Sequence, residues 1–484
     1  MSLFIIIFLF SVGFISYKFS NSYALFSDSV EGTKTIEATV KLSNLDKSGA
    51  NEPVLDSSMI PVYYDSNNDV WRKADVKNHN EKYKWYDYDN KMWANSVTVS
   101  STNRSKYQSG ALGTEIPMDD ILTMQVWIPR YKYKVFNYNA DGTKTSSPQE
   151  IEITFEKDNK NTSEITCSDS ISGTDGKASE TCKLKSTNAT CTDSLCNNKT
   201  YTHPAFTFGN DEIKGFWVGK FELTGTISNI TTKPNLSSIR DQSVSTFETN
   251  IMNMKNSGNR YGFSTNTDTH MIKNCEWGAV AYLSHSKYGT CTSGSCTEIG
   301  LNNNSNFITG CGANASSLKN TTCDAYNTSN GVLASTTFNI YGAYDISGGA
   351  YEYTMANIVS TDAATMISGN DSSSNSGYTG KVYNSGKYTS YKGIAYPNTK
   401  YYDKYSFSAS NTSKIRSKLG DGLKEVNISS TGWYSDTLSL ARHNYPWFRR
   451  GGEYNSVAGA GLFCSDLNTG TNNVNNSTRF IISN

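Results

Sequence analysis

Apolar positions along this chain come in short alternating runs more often than at helical spacing. Ile60-Pro61-Val62-Tyr63-Tyr64, Ser96 to Ser100 and Met124-Gln125-Val126-Trp127-Ile128 read as strands, with Asn, Asp and Gly between them. Strand pattern resumes with Phe206-Thr207-Phe208 and Gly215-Phe216-Trp217-Val218-Gly219-Lys220-Phe221-Glu222. One good helix is predicted, over 268–286. Its Met271, Ile272, Cys275, Ala279, Tyr282 and Leu283 fall on one face at three/four spacing. From 301 to 430 the chain is rich in Asn, Ser, Tyr and Gly and nearly without period. Loops this long in a compact domain are usually functional or mobile. No fixed-period repeat occurs, which excludes a solenoid or a propeller.

The run Phe4 to Ile15 is nearly all apolar. It is too short for a membrane span, which needs about 20 residues. Ser22-Tyr23-Ala24 follows as a small-residue cleavage pattern. Residues 1–24 are thus expected to be a signal peptide or, if uncleaved, an anchor. No Lys or Arg precedes the run, and Lys18 follows it. Either way the body is exported to the cell surface or beyond. Residues 25–50 read as a polar tether and 51–156 as a β-rich part. Residues 157–200 read as a Cys-rich insertion too poor in apolar residues to bury its own core.

Ten cysteines in an exported chain predict disulfides. Pairing neighbours gives Cys167–Cys182, Cys191–Cys196, Cys291–Cys296 and Cys311–Cys323, and leaves Cys275 to join Cys464. No CxxC occurs and no His lies at ligand spacing from a Cys pair, which speaks against zinc. Lys+Arg and Asp+Glu are equal at 44 each, so no basic footprint for nucleic acid exists. Membrane contact is expected only through the N-terminal segment. Charged residues make up 18% and aromatics 12%, a polar, uncharged, Tyr-rich composition that suits a recognition surface. An AT-rich genome would inflate Asn in the same way.

Four segments in order carry a family resemblance. They are Gly215 to Thr224; Glu276-Trp277-Gly278-Ala279-Val280-Ala281-Tyr282-Leu283; Tyr341-Gly342-Ala343-Tyr344-Asp345-Ile346-Ser347-Gly348-Gly349-Ala350-Tyr351-Glu352-Tyr353; and Arg450-Gly451-Gly452-Glu453-Tyr454 followed by Ser477-Thr478-Arg479-Phe480-Ile481-Ile482. Together they resemble the formylglycine-generating (sulfatase-modifying) family, whose typical third run is GLYDMxGNVWEW. The resemblance covers 201–484. It implies an α+β, C-type-lectin-like fold with small twisted antiparallel sheets, about two helices and much irregular loop.

The family's enzymes hold copper with two cysteines near the C-terminus, because copper(I) requires soft thiolates. After Gly452 this chain has Cys464 alone, so neither that activity nor copper is expected. No phosphate loop or nucleophile elbow is present. The resemblance also implies a structural calcium ion held by Asp345, the Gly348 and Ala350 carbonyls and Glu352. Calcium takes six to eight hard oxygens, which such a loop can supply. Ligand recognition in this fold is implied on the irregular loops and late strands: Trp433, Arg442, His443, Trp447, Arg449, Glu453, Tyr454, Asn455 and Asp466. The expected function is a non-catalytic, surface-exposed adhesin or receptor-like binder of a protein or glycan. A diversified variable protein, hypermutated at Asn codons near 453–476, is one form of it. A filament or matrix subunit is an alternative, because Ala24 to Ser29 is similar to the mature start of camelysin-type and biofilm-matrix subunits. An enzyme of unrecognised chemistry is the other.

Overall fold

The computed structural model describes residues 43–138, 147–171, 178–362, 365–407, 417–427 and 431–483. The signal or anchor segment and most of the tether lie outside them. Leu45–Asn484 form a compact unit. The tether ends earlier than expected, since Asp46 already accepts a hydrogen bond from Tyr88 N at 2.8 Å.

Twelve strands and three helices build the frame that positions the site. In chain order the strands are β1 (Ile60–Asp65), β2 (Val70–Lys73), β3 (Asn95–Val99), β4 (Ile121–Pro129), β5 (Gly215–Gly219), β6 (Asp268–Met271), β7 (Tyr351–Ile358), β8 (Asp403–Tyr405), β9 (Trp447–Gly451), β10 (Gly461–Asn468), β11 (Asn476–Ser477) and β12 (Phe480–Ser483). The helices are α1 (Ser101–Ser109), α2 (Val244–Met252) and α3 (Asn274–Ser284). The class is α+β, sheet-rich, with few helices and several small sheets. Among the described residues no helix is long and apolar enough to cross a membrane.

The largest sheet runs β6-β12-β5-β4-β3-β1-β2, antiparallel throughout. Its middle is β4, whose nine residues are all buried. An apolar and β-branched sequence fits a strand with both faces covered. Trp127 on β4 stands opposite Trp217 on β5, with ring centroids 5.2 Å apart. Trp85 stacks on Trp217 at 6.3 Å. Each buried indole N–H finds a carbonyl: Trp127 to Asn51 at 3.3 Å, Trp217 to Val54 at 2.6 Å, Trp85 to Asn95 at 2.7 Å. That cluster places β1–β4 and the late strands in one sheet, so 51–156 is no separate module from 201–484.

The helix expected over 268–286 is split. Residues 268–271 pair with β12 as strand β6, and the helix starts only at Asn274. Glu276 closes its first turn by accepting from Lys273 N at 2.8 Å. Met271 and Ile272 are buried either way, so their spacing alone could not separate strand from helix. The strand expected over 215–222 ends at Gly219, where Lys220 turns its ammonium inward. That buried ammonium donates to Asn95 Oδ1 at 2.8 Å, Ile340 O at 2.7 Å and Gly342 O at 2.8 Å. It thereby ties β3 to the loop before β7.

Four disulfides join the neighbouring cysteines: Cys167–Cys182, Cys191–Cys196, Cys291–Cys296 and Cys311–Cys323. The first staples a hairpin of Ile165–Ile171 and Ala178–Leu184. The expected Cys275–Cys464 bridge is not formed, and both are free thiols. Cys275 sits in the first turn of α3 and lines a cavity of about 430 Å³ with Tyr201 and Asp403. Cys464 is buried in β10, among Arg449, Arg450 and Asp466. In the native protein a thiol reagent is therefore expected to label Cys275 and spare Cys464 until unfolding. Peptide mapping by mass spectrometry checks this; a native Cys275–Cys464 cross-link would contradict it.

A buried imidazolium links β6 to α3. His270 Nδ1 lies 2.8 Å from Asp268 and Nε2 lies 3.0 Å from Glu276. Although burial opposes the charged form, Glu276 and Asp268 push His270 up to about 9. A raised folded value means stability that is complete below the unfolded value, about 6.5, and is lost as pH rises through about 9. Urea denaturation from pH 6.5 to 9.5 is expected to show a loss of roughly 3 kcal/mol. The His270→Gln variant should lack that alkaline loss.

Candidate functional site

The second large sheet runs β8-β7-β9-β10, with β11 beside β7. Side chains on β9 alternate between its faces. Phe448 and Arg450 point inward, and the Arg450 guanidinium donates to Cys464 O at 2.8 Å and Asp421 O at 3.0 Å. Arg449 faces the other way and remains partly exposed. Its register neighbours are Tyr353 on β7 and Asp466 on β10. Arg449 Nε donates to Asp466 Oδ2 at 3.0 Å, and Nη1 donates to Asn476 Oδ1 at 3.0 Å. The guanidinium lies 3.7 Å from the centre of the Tyr351 ring.

Glu453, Tyr454 and Asn455 lie in the loop from β9 to β10. Tyr454 N donates to Gly349 O at 2.8 Å, and its ring meets Phe307 edge-on at 4.9 Å. Glu453 is raised by burial and by Asp466 and lowered by Arg449, which places all three carboxyl and guanidinium groups in one field. Asn455 is exposed. Five of the nine residues expected to bind ligand thus share one patch: Arg449, Glu453, Tyr454, Asn455 and Asp466. Tyr351 and Asn476 belong to it and were missed. Tyr351 was legible as the neighbour of Glu352 on an alternating strand, but the pairing of β11 with β7 was not.

The other four lie elsewhere. Trp433 is fully buried, stacked on Phe136 at 5.4 Å and edge-on to Phe463 at 5.3 Å. Trp447 is also fully buried, and donates to Ser368 O at 3.1 Å. Both fill core and present nothing to a ligand, because so large an apolar surface is worth more inside. Arg442 and His443 sit on a turn before β9, where the His443 ring lies 4.0 Å from Tyr383.

Beneath the patch is a buried ionic cluster. Arg479, just before β12, donates from Nε to Glu352 Oε2 at 2.7 Å, and its Nη2 pairs with Glu352 Oε1. The remaining guanidinium donors reach Gly219 O at 2.9 Å and Tyr344 O at 3.0 Å. Asp345 Oδ1 accepts from Asn302 Nδ2 and Gly310 N, both at 2.8 Å. Glu222 Oε1 accepts from Ala350 N at 2.8 Å. Burial, with Asp345 and Glu352 nearby, pushes Glu222 well above the carboxylate range.

The calcium set implied by the family resemblance does not fit this arrangement. Both Glu352 oxygens are engaged by the Arg479 guanidinium, which commits that carboxylate to a protein partner. Gly349 stands where the family run has Asn. A Cβ at this position, with φ at 71°, would lie 2.5 Å from Glu222 Oε1. Glu352 is thus spent on Arg479, while Asp345 Oδ2 is buried with no hydrogen-bond partner among the described residues.

No model of a known protein family matches the chain, and no curated protein does. A solved structure, Treponema denticola variable protein 1, shares 11% identity over 59% of this chain and 87% of that chain, with a TM-score of 0.25. At that score it carries no argument about fold or function.

Removing one member of a buried pair leaves an uncompensated charge and costs about 3–5 kcal/mol. Arg479→Met is expected to lower unfolding stability by that amount in urea titration. The double variant Arg479→Met/Glu352→Leu should recover a large part of it.

Proposed function

We propose that this chain is an exported, cell-surface ligand-binding protein, non-catalytic, on a C-type-lectin-like scaffold. The four motif segments support the scaffold by where they fall. They supply β5, helix α3, the loop into β7, and β9 with β12, and all their charged members except Glu453 are buried: Lys220, Glu222, Glu276, Asp345, Glu352, Arg450 and Arg479. Four disulfides are in keeping with an oxidising compartment. The buried thiol of Cys464, unpaired with Cys275, supports the non-catalytic reading, because holding copper(I) as that family's enzymes do takes two thiolates.

The observation that carries the reading is the Arg449 patch. A guanidinium, two carboxylates, two tyrosines and two amides lie on one sheet face and the loop from β9 to β10 beside it, held by strand pairing and by the Tyr454–Gly349 bond. Fixed aromatic and Arg groups bind with little ordering cost.

A glycan-and-protein array probed with the full chain is expected to return a ligand. Against it, Arg449→Ala and Asp466→Ala should each weaken binding by tenfold or more at unchanged melting temperature. Trp433→Ala should lower the melting temperature instead. Unaltered affinity in both patch variants would move the site elsewhere.

A further inference from the structure

The cavity beside Cys275 lies between the first turn of α3, strand β8, the Cys167–Cys182 hairpin and residues 417–421. Its volume of about 430 Å³ falls in the range of small-molecule sites, roughly 300–1,000 Å³. Most charges on its wall are spent on neighbours. Lys418 pairs with Asp169, Glu180 with Lys424 at 3.0 Å, and Glu212 with Arg130. Asp421 accepts from Lys418 N at 2.7 Å, Leu423 N at 2.9 Å and Tyr405 Oη at 3.2 Å.

Lys273 and Asp403 are the exceptions. Lys273 is 4% exposed, and its Nζ lies 3.4 Å from Glu276 Oε1. That oxygen is already held by His270 Nε2 at 3.0 Å. An ammonium carries three N–H groups, so one shared acceptor leaves donors to spare. Burial works against the charge, yet Cys275, Glu276 and Asp403 hold Lys273 above the usual lysine value. Asp403 accepts from Cys275 N at 2.9 Å and so closes the start of α3. Among the described residues it forms no ion pair, with Lys273 or with any other cation. The Cys275 thiol beside them is raised well above its usual value by burial and by Asp403, and stands as a neutral S–H. Tyr201, Pro204 and Leu419 give the cavity an apolar side.

We propose that this cavity binds a small zwitterion of the amino-acid class, with its carboxylate on Lys273, its ammonium on Asp403 and its side chain toward Tyr201 and Leu419. Opposite charges that line one cavity without neutralising each other call for a ligand that carries both. A ligand with one charge alone satisfies one wall group and covers the other without a partner. That loss is what makes a polar site reject analogues lacking a group. The site shares no residue with the Arg449 patch and does not rest on the ligand-binding reading of that patch.

Cys275 reports on occupancy, and buried Cys464 serves as the internal control. The full chain is treated with N-ethylmaleimide at pH 7, and labelling of Cys275 is followed by peptide mass spectrometry. Each common free L-amino acid except cysteine is added in turn at millimolar concentration. At least one is expected to slow labelling fivefold or more. Its N-acetyl derivative lacks the ammonium and its amide lacks the carboxylate, so neither should slow labelling by as much as twofold. Lys273→Met keeps the length of the side chain, and Asp403→Asn keeps an acceptor for Cys275 N. Each should abolish the protection, with circular dichroism showing the fold intact. Absence of protection by any amino acid would overturn the proposal. So would equal protection by either derivative, or protection that survives in either variant. If a variant does not fold, the derivative series on the unmodified protein decides.

Discussion

The ion pair of Arg479 with Glu352 holds the two sheets of this protein in one arrangement. Arg479 precedes β12 in the first sheet, Glu352 lies on β7 in the second, and the spare guanidinium donors bind the end of β5 and the loop before β7. A buried pair of this kind is a poor source of net stability, since desolvation offsets much of the attraction. Its effect is on geometry. Each oxygen of Glu352 and most donors of Arg479 have one place to go, so the sheets meet in a single register.

That constraint sets up the exposed chemistry. On β9 the inward Arg450 and the outward Arg449 are adjacent residues with opposite tasks. One is spent on carbonyls of the core, and the other is held by Asp466, Asn476 and Tyr351 at the surface. Gly349 connects the two levels. Its missing Cβ makes room for the Glu222 carboxyl, and its carbonyl secures the loop from β9 to β10 through Tyr454.

The class and much of the patch were legible because alternation and motif order report directly on strands. The four short-range disulfides were legible because nearby cysteines have few other partners. What failed depended on long-range pairing. Whether 268–271 is helix or strand is decided by β12, more than two hundred residues later. Cys275 and Cys464 were paired only because each was left over, yet one faces a cavity and the other a sheet interior. The Trp residues at 433 and 447 carried no mark in sequence to distinguish core from surface. The resemblance's calcium ligands were all present by position, but only the fold reveals that Arg479 reaches Glu352 first.

The order of strands in the first sheet also governs when the protein can close. β12 contains residues 480–483 and lies between β5 and β6, well inside the sheet. During synthesis β1 to β5 emerge early, yet β5 and β6 cannot be bridged until these residues leave the ribosome. Strand pairing across such a sequence distance is slow to form. The polypeptide thus stays open along its main seam until β12 has been made. Closure is deferred to β12, and a chain that stops short of it leaves β5 and β6 unbridged.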